Sequence, residues 1–130
     1  MERVDLDSVV IASTAPFMTR TGPRIDGSGI EPAAVDGDAA DLGRLVAGLV
    51  DNAVRHAATR VLVGCFPTEG GVRLTVCDDG PGIADAGAVF GLGTGLTEIR
   101  RIAEIHRGTV AIEPSAVGAR LVVDLPRSSA

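Results

Sequence analysis

Residues 78–96 read DDGPGIADAGAVFGLGTGL, and no other stretch limits the fold as strongly. They follow an alternating run (Val72, Leu74, Val76) that predicts a strand, and they pass into a helical pattern from Thr97. Glycines this dense suit neither a strand interior nor a helix interior, so the stretch must be a strand-to-helix connection. A carboxylate at a strand end, followed by glycines, meets a ligand with little side chain in the way. A second glycine cluster opening a helix aims backbone N–H groups and the positive dipole end at an anion. Together they predict a nucleotide, its base near Asp78 and its phosphates near Gly91, Gly93 and Gly95.

The remaining chain predicts the scaffold for that loop. Residues 38–58 carry Leu42, Leu45, Val46, Leu49, Val50, Ala53 and Val54 at helical spacing, with Asp38 or Asp41 placed to cap the start. Before them, residues 2–20 predict a helix capped by Asp7 or Ser8 with Pro16 near its end, and residues 21–37 predict two short edge strands and a turn. Residues 60–66 and 71–77 predict an antiparallel pair around residues 67–70. Leu96, Ile99, Ile102, Ala103 and Ile105 offer a buried face to a helix that Gly108 ends. Residues 109–113 and 119–125 predict two closing strands, the last stopped by Pro126. The expected fold is α+β, a two-layer sandwich: about three helices on one face of a mixed, mainly antiparallel sheet of about five strands. All 130 residues are read as one domain: an N-terminal helix with edge strands (1–37), the long helix (38–58) and the glycine loop (78–96).

Composition narrows the function. A net charge of −5 with no lysine leaves no basic face for a nucleic acid. Cys65 and Cys77 are too few and too far apart for a zinc site, and both fall in apolar runs, which predicts buried, reduced thiols. No apolar run approaches the ~20 residues that span a bilayer, and no secretory signal opens the chain. The expectation is a cytoplasmic domain without membrane contact, or the cytoplasmic end of a membrane-bound sensor.

On the long helix, Asn52, Arg55 and His56 share one face. An amide oxygen suits Mg²⁺ held between phosphates, and an arginine reaches phosphate oxygens; each residue taken alone also fits a structural role. The order of the pieces resembles a known family. LVDNAVRH (49–56), DDGPGI (78–83) and GLGTGL (91–96) before TEIRRIAEIH are similar to the N box and two glycine boxes of the ATP-binding catalytic domain of bacterial sensor histidine kinases. That domain belongs to the GHKL ATPases.

The resemblance implies ATP or ADP with Mg²⁺ as ligands, and phosphoryl transfer to a histidine on a separate dimerisation domain, with a response regulator downstream. It implies Asn52 on Mg²⁺ and Arg55 on the phosphates as the catalytic pair. His56 would lie beside the adenine or sugar, and Asp78 would accept from the adenine amino group. Gly80 and Gly82 would let the backbone pass the base, with Ile83 packed on it. Gly91, Gly93, Thr94, Gly95 and Leu96 would cradle the phosphates.

Three departures accompany the resemblance. Gly48 stands where the family has an earlier asparagine, a spacing at which hydrolysing relatives place a glutamate base. Ala119 replaces the usual threonine of the last strand. Only residues 83–90 separate the glycine boxes, with Phe90 like a remnant of a phenylalanine box, which implies a short lid and exposed phosphates. Neither His56 nor His106 is followed by an acidic residue, so neither reads as a phosphoacceptor. Two other readings remain open: an anti-sigma-type serine kinase, and a nucleotide-binding module without phosphotransfer.

Overall fold

The computed structural model describes residues 2–18, 21–80, 94–115 and 118–129. Its elements run β1 (Glu2–Asp5), α1 (Leu6–Met18), β2 (Arg24–Ile30), β3 (Ala34–Gly37), α2 (Ala39–His56), β4 (Arg60–Pro67), β5 (Val72–Asp78), α3 (Thr94–Ile105), β6 (Thr109–Ser115) and β7 (Gly118–Leu125). Five strands form one mixed sheet in the order β2-β4-β5-β7-β6, and β1 pairs with β3 in a separate antiparallel ribbon. Within the sheet β2 and β4 are parallel and every other pair is antiparallel. The three helices among the described residues pack on one face, α2 in the middle against β4 and β5, with α1 and α3 on either side of it. The two-layer sandwich is the expected one.

The core follows from two periodicities. Every second residue of β4 (Val61, Val63, Cys65), β5 (Val72, Leu74, Val76) and β7 (Leu121, Val123, Leu125) turns toward the helices and is buried. Leu42, Leu45, Val46, Leu49, Val50 and Ala53 of α2 meet them along one stripe. Each such side chain contributes about 1.5–3 kcal/mol relative to exposure. Asp38 is the N-cap of α2, its carboxylate accepting from the Asp41 N–H at 3.0 Å. Both cysteines are free thiols, but only Cys65 is buried; Cys77, expected to be buried as well, sits at the alternate strand position facing away from the helices and is half-exposed. Burial pushes the Cys65 thiol up to about 12.

Several expectations need correction. The chain opens on a strand, not a helix, because Val4 is buried against Val35 across the β1–β3 ribbon. Asp7 does not cap its own helix; its carboxylate accepts from the Ala33 N–H at 3.2 Å. Ile105 is 51 % exposed. The buried stripe of α3 is Ile99, Ile102, Ala103 and then His106, which occupies the position that completes the helical spacing.

His106 donates from Nδ1 to the Ile102 carbonyl (2.8 Å), and its Nε2 accepts from the Asp38 N–H (3.1 Å). It therefore ties the C-terminus of α3 to the N-terminus of α2, the structural role that the sequence favoured. The helix is closed by Arg107, not Gly108. Arg107 has φ +62°, its N–H donates to the Glu104 carbonyl, and the Gly108 N–H donates to the Ala103 carbonyl. Gly108 is glycine for another reason, since a Cβ there would lie 2.4 Å from the Asp124 carbonyl oxygen.

Holding an arginine in the left-handed region costs about 1 kcal/mol, and glycine removes that cost. Arg107→Gly should raise the melting temperature by on the order of 3 °C in calorimetry. A fall instead would mean that the Arg107 side chain contributes more than its backbone costs.

Candidate functional site

The C-terminal ends of β5 and α2 meet at one edge of the sheet, and most of the described motif residues gather there. Asp78 is the last residue of β5, opposite Val61 on β4 and Ala119 on β7. One of its carboxylate oxygens accepts from the Gly80 N–H at 2.9 Å. The other has no partner among the described residues and is half-exposed. Ala119, 5 % exposed, sits beside it with a methyl where a threonine would bring a hydroxyl.

Asp79 points the other way. One of its oxygens accepts from three consecutive N–H groups, those of Ala58, Thr59 and Arg60, at 3.0, 2.9 and 2.9 Å. The second accepts from the Thr59 hydroxyl. The Thr59 hydroxyl first, then the Thr59 and Arg60 N–H groups, hold this carboxyl well below the usual carboxylate range. Neither Asp79 nor Thr59 stood out in the sequence. The motif assigns chemistry to the first aspartate only, and nothing local marks residues 58–60 as a carboxylate's partner.

Gly80 then passes directly under the helix end, where a Cβ would fall 1.9 Å from the His56 carbonyl oxygen. The glycine is thus required by the protein's own backbone as well as by any ligand. Gly118 is equally constrained, since a Cβ on it would lie 1.9 Å from the Asp78 carbonyl oxygen.

On the last two turns of α2, Asn52 is half-buried, and its amide has no partner among the described residues. Arg55 is exposed and pairs with Asp51 one turn earlier, at 2.8 Å. That surface pair holds the guanidinium only weakly. His56 is exposed at the helix end. The three lie on the C-terminal turns of α2, whose end approaches Gly80, two residues past Asp78.

Thr94, Gly95 and Leu96 form the first turn of α3, and their side chains lie outside what is described. The expectations for Gly82, Ile83, Gly91, Gly93 and the lid of residues 83–90 also lie outside the described residues.

Helices α2 and α3 run antiparallel, since Gly48 meets Ile99 at mid-length and His106 meets Asp38 at the far end. The N-terminus of α3 is thereby directed toward the same edge as Asn52 and Asp78. A Cβ on Gly48 would fall 2.9 Å from Cδ1 and 3.1 Å from Cγ1 of Ile99, which is 2 % exposed. The space that the asparagine implied by the resemblance would need is filled here by Ile99.

Among the described residues no group of three acidic, histidine or cysteine side chains could hold a metal ion by itself. Asn52, one neutral oxygen donor without a competing partner, fits a Mg²⁺ that brings its other ligands from phosphates and water. A cleft of about 570 Å³ lined by Asp36, Ile105, His106, Arg107 and Arg127 lies at the other end of α2, roughly 25 Å away for a helix of this length. None of the motif residues lines it.

Gly48→Asn should overpack α3 and cost about 1–3 kcal/mol. Adding Ile99→Ala should recover part of that loss in chemical denaturation. If Gly48→Asn alone is neutral, the helix pair is not close-packed at this point.

A family model described as histidine kinase-, DNA gyrase B-, and HSP90-like ATPase matches residues 37–129. The sensor histidine kinase CpxA of Escherichia coli is 34 % identical over 96 residues, covering 60 % of this chain and 21 % of that protein. The sensor protein kinase CarS of Pseudomonas aeruginosa is 38 % identical over 103 residues, covering 68 % of this chain and 23 % of that protein. The chain therefore spans between about a fifth and a third of the length of the curated relatives it matches. The crystal structure of the ATP binding domain of PrrB from Mycobacterium tuberculosis superposes with a TM-score of 0.86 at 27 % identity, covering 98 % of both chains. Among the described residues no helix is long and apolar enough to cross a membrane.

Proposed function

The chain belongs to the histidine kinase-, DNA gyrase B-, and HSP90-like ATPase family, and we propose that it is the ATP-binding catalytic domain of a two-component sensor histidine kinase. It presents ATP so that the γ-phosphoryl passes to a histidine on a separate dimerisation domain, and from there to a response regulator. Residues 1–130 act in this reading as one catalytic unit at the cytoplasmic end of a sensor. The single observation that carries the reading is the divided labour of Asp78. One oxygen is fixed by the Gly80 N–H, and the other has no partner among the described residues at the end of β5, where the α2 motif also ends.

That free oxygen accepts a hydrogen bond from the exocyclic amino group of adenine. Guanine would present a carbonyl there, acceptor against acceptor, so adenine is preferred. His56 lies beside the base or sugar, and Gly80, Gly82 and Ile83 line the approach to it. The Asn52 amide oxygen and the Arg55 guanidinium face the phosphates. Asn52 would be the protein ligand of a Mg²⁺ ion, which when bound would supply positive charge to offset the negative charge of the phosphates. Gly91, Gly93, Thr94, Gly95 and Leu96 supply backbone donors and the positive end of α3.

Phosphoryl transfer asks mainly for such positioning and charge neutralisation. Neither described histidine serves as acceptor: both ring nitrogens of His106 are engaged in the interior, and His56 is followed by Ala57. With Gly48 packed under Ile99, position 48 brings no general base to water, so hydrolysis without an acceptor should be near background. A serine acceptor, as in anti-sigma kinases, would give an acid-stable product in place of an acid-labile one.

Asp78→Asn should weaken ATP by about 1.5–3 kcal/mol in calorimetry, the scale of a hydrogen bond to a charged group. Asn52→Ala should weaken Mg-ATP far more than adenosine. Equal ATP affinity for wild type and Asp78→Asn would contradict the reading, and equal losses for adenosine and Mg-ATP would make Asn52 structural.

A further inference from the structure

Adjacent carboxylates at the end of β5 do different things. Asp78 holds one oxygen open to the edge of the sheet, while both oxygens of Asp79 are consumed by the chain that follows α2. Asp78 ends the strand and Asp79 is the first residue past it, so two carboxylates with different partners are carried on one short piece of backbone.

Three consecutive N–H groups converging on one anion form a small anion-binding concavity, and here the anion is a side chain of the protein itself. The Asp79 N–H reinforces the join by donating to the Arg60 carbonyl at 3.3 Å. The result is a closed frame. Asp79 grips residues 58–60, those residues continue from the last turn of α2, and Gly80 fits beneath the His56 carbonyl. The distance from Asp78 to the Asn52–His56 face of α2 is then set by the grip of Asp79.

We infer that Asp79, with the Thr59 hydroxyl, is a positioning residue for base selection: it fixes where the free Asp78 oxygen stands relative to α2 without touching the nucleotide. The inference rests on the reading of Asp78 as the adenine acceptor. A purely structural Asp79 would affect how much protein is folded. A positioning Asp79 also affects which base the folded protein prefers, because an acceptor that shifts loses its alignment with an amino group before it loses general contact with the ring.

The test uses the whole 130-residue chain and the variants Asp79→Ala, Asp79→Asn and Thr59→Val. ATP and GTP affinities are measured by calorimetry at a temperature where melting curves show each variant folded. Asp79→Ala should lose about ten- to a hundredfold in ATP affinity, the scale on which a displacement of about 1 Å acts, while GTP changes little, so the ATP preference collapses. Asp79→Asn keeps an oxygen for the three N–H groups and should restore most of the preference. Thr59→Val, which removes one bond of four, should lose a smaller part of it.

A folded Asp79→Ala with wild-type ATP preference overturns the inference. Should Asp79→Ala fail to fold, wild-type preference in Thr59→Val overturns it instead. Failure of the underlying reading looks different, because wild type would then show no ATP preference for Asp78→Asn to remove.

Discussion

Three N–H groups in a row, from Ala58, Thr59 and Arg60, point at one oxygen of Asp79. Without a partner they would be orphan donors just past a helix end, at the point where the chain turns from α2 into β4. With the carboxylate in place, they bind the end of β5 to the end of α2. The sheet could form without this join, since its strands are already paired. What the join adds is the relation between a strand end that carries Asp78 and a helix end that carries Asn52, Arg55 and His56. Gly80 follows from the same constraint: once the backbones are this close, a Cβ there would overlap the His56 carbonyl oxygen.

A second tie holds the opposite end. His106 accepts from the first N–H of the α2 cap and donates within α3, so the two helices are joined by a neutral imidazole at the end remote from Asp78. Between the two ties, α2 and α3 touch through Gly48 and Ile99. Helix α2 is thus fixed to α3 at one end by a ring and at mid-length by close packing, and its other end is fixed to β5 by a carboxylate. The C-terminal segment adds a similar device on the β1–β3 ribbon. The Ser128 N–H donates to the Ala34 carbonyl, and the hydroxyls of Ser128 and Ser129 donate to Asp36. Hydrogen bonds from Ser128 first, then Ser129, hold the Asp36 carboxyl below the usual carboxylate range.

Much of the architecture could be read in advance because its signals are periodic. The α2 stripe, the alternation in β4 and β5, and the strand–glycine–helix order each depend on residues close in sequence. What could not be read depends on partners far apart. The strand at Glu2–Asp5 has one buried side chain, Val4, and exists because β3 pairs with it. The parallel pairing of β2 with β4 needs the whole crossover through β3 and α2. Gly48 read as a missing ligand, whereas its packing against Ile99 gives it a reason within the fold. At the site, the end of α2 and the end of β5 lie against each other. The residue that holds them together did not show, because an aspartate's grip on N–H groups about twenty residues earlier leaves no local mark.

The central claim is a location: the nucleotide occupies the edge where β5 and α2 end, held by Asp78 and faced by Asn52. Amide chemical shifts recorded while Mg-ADP is added to the isotope-labelled chain test this most directly. The account predicts that the largest changes fall on residues 52–60, 78–80 and 118–119, with Asp36, Arg107 and Arg127 at the remote cleft nearly unmoved. Changes concentrated at that cleft, with Asp78 and Gly80 silent, would contradict it.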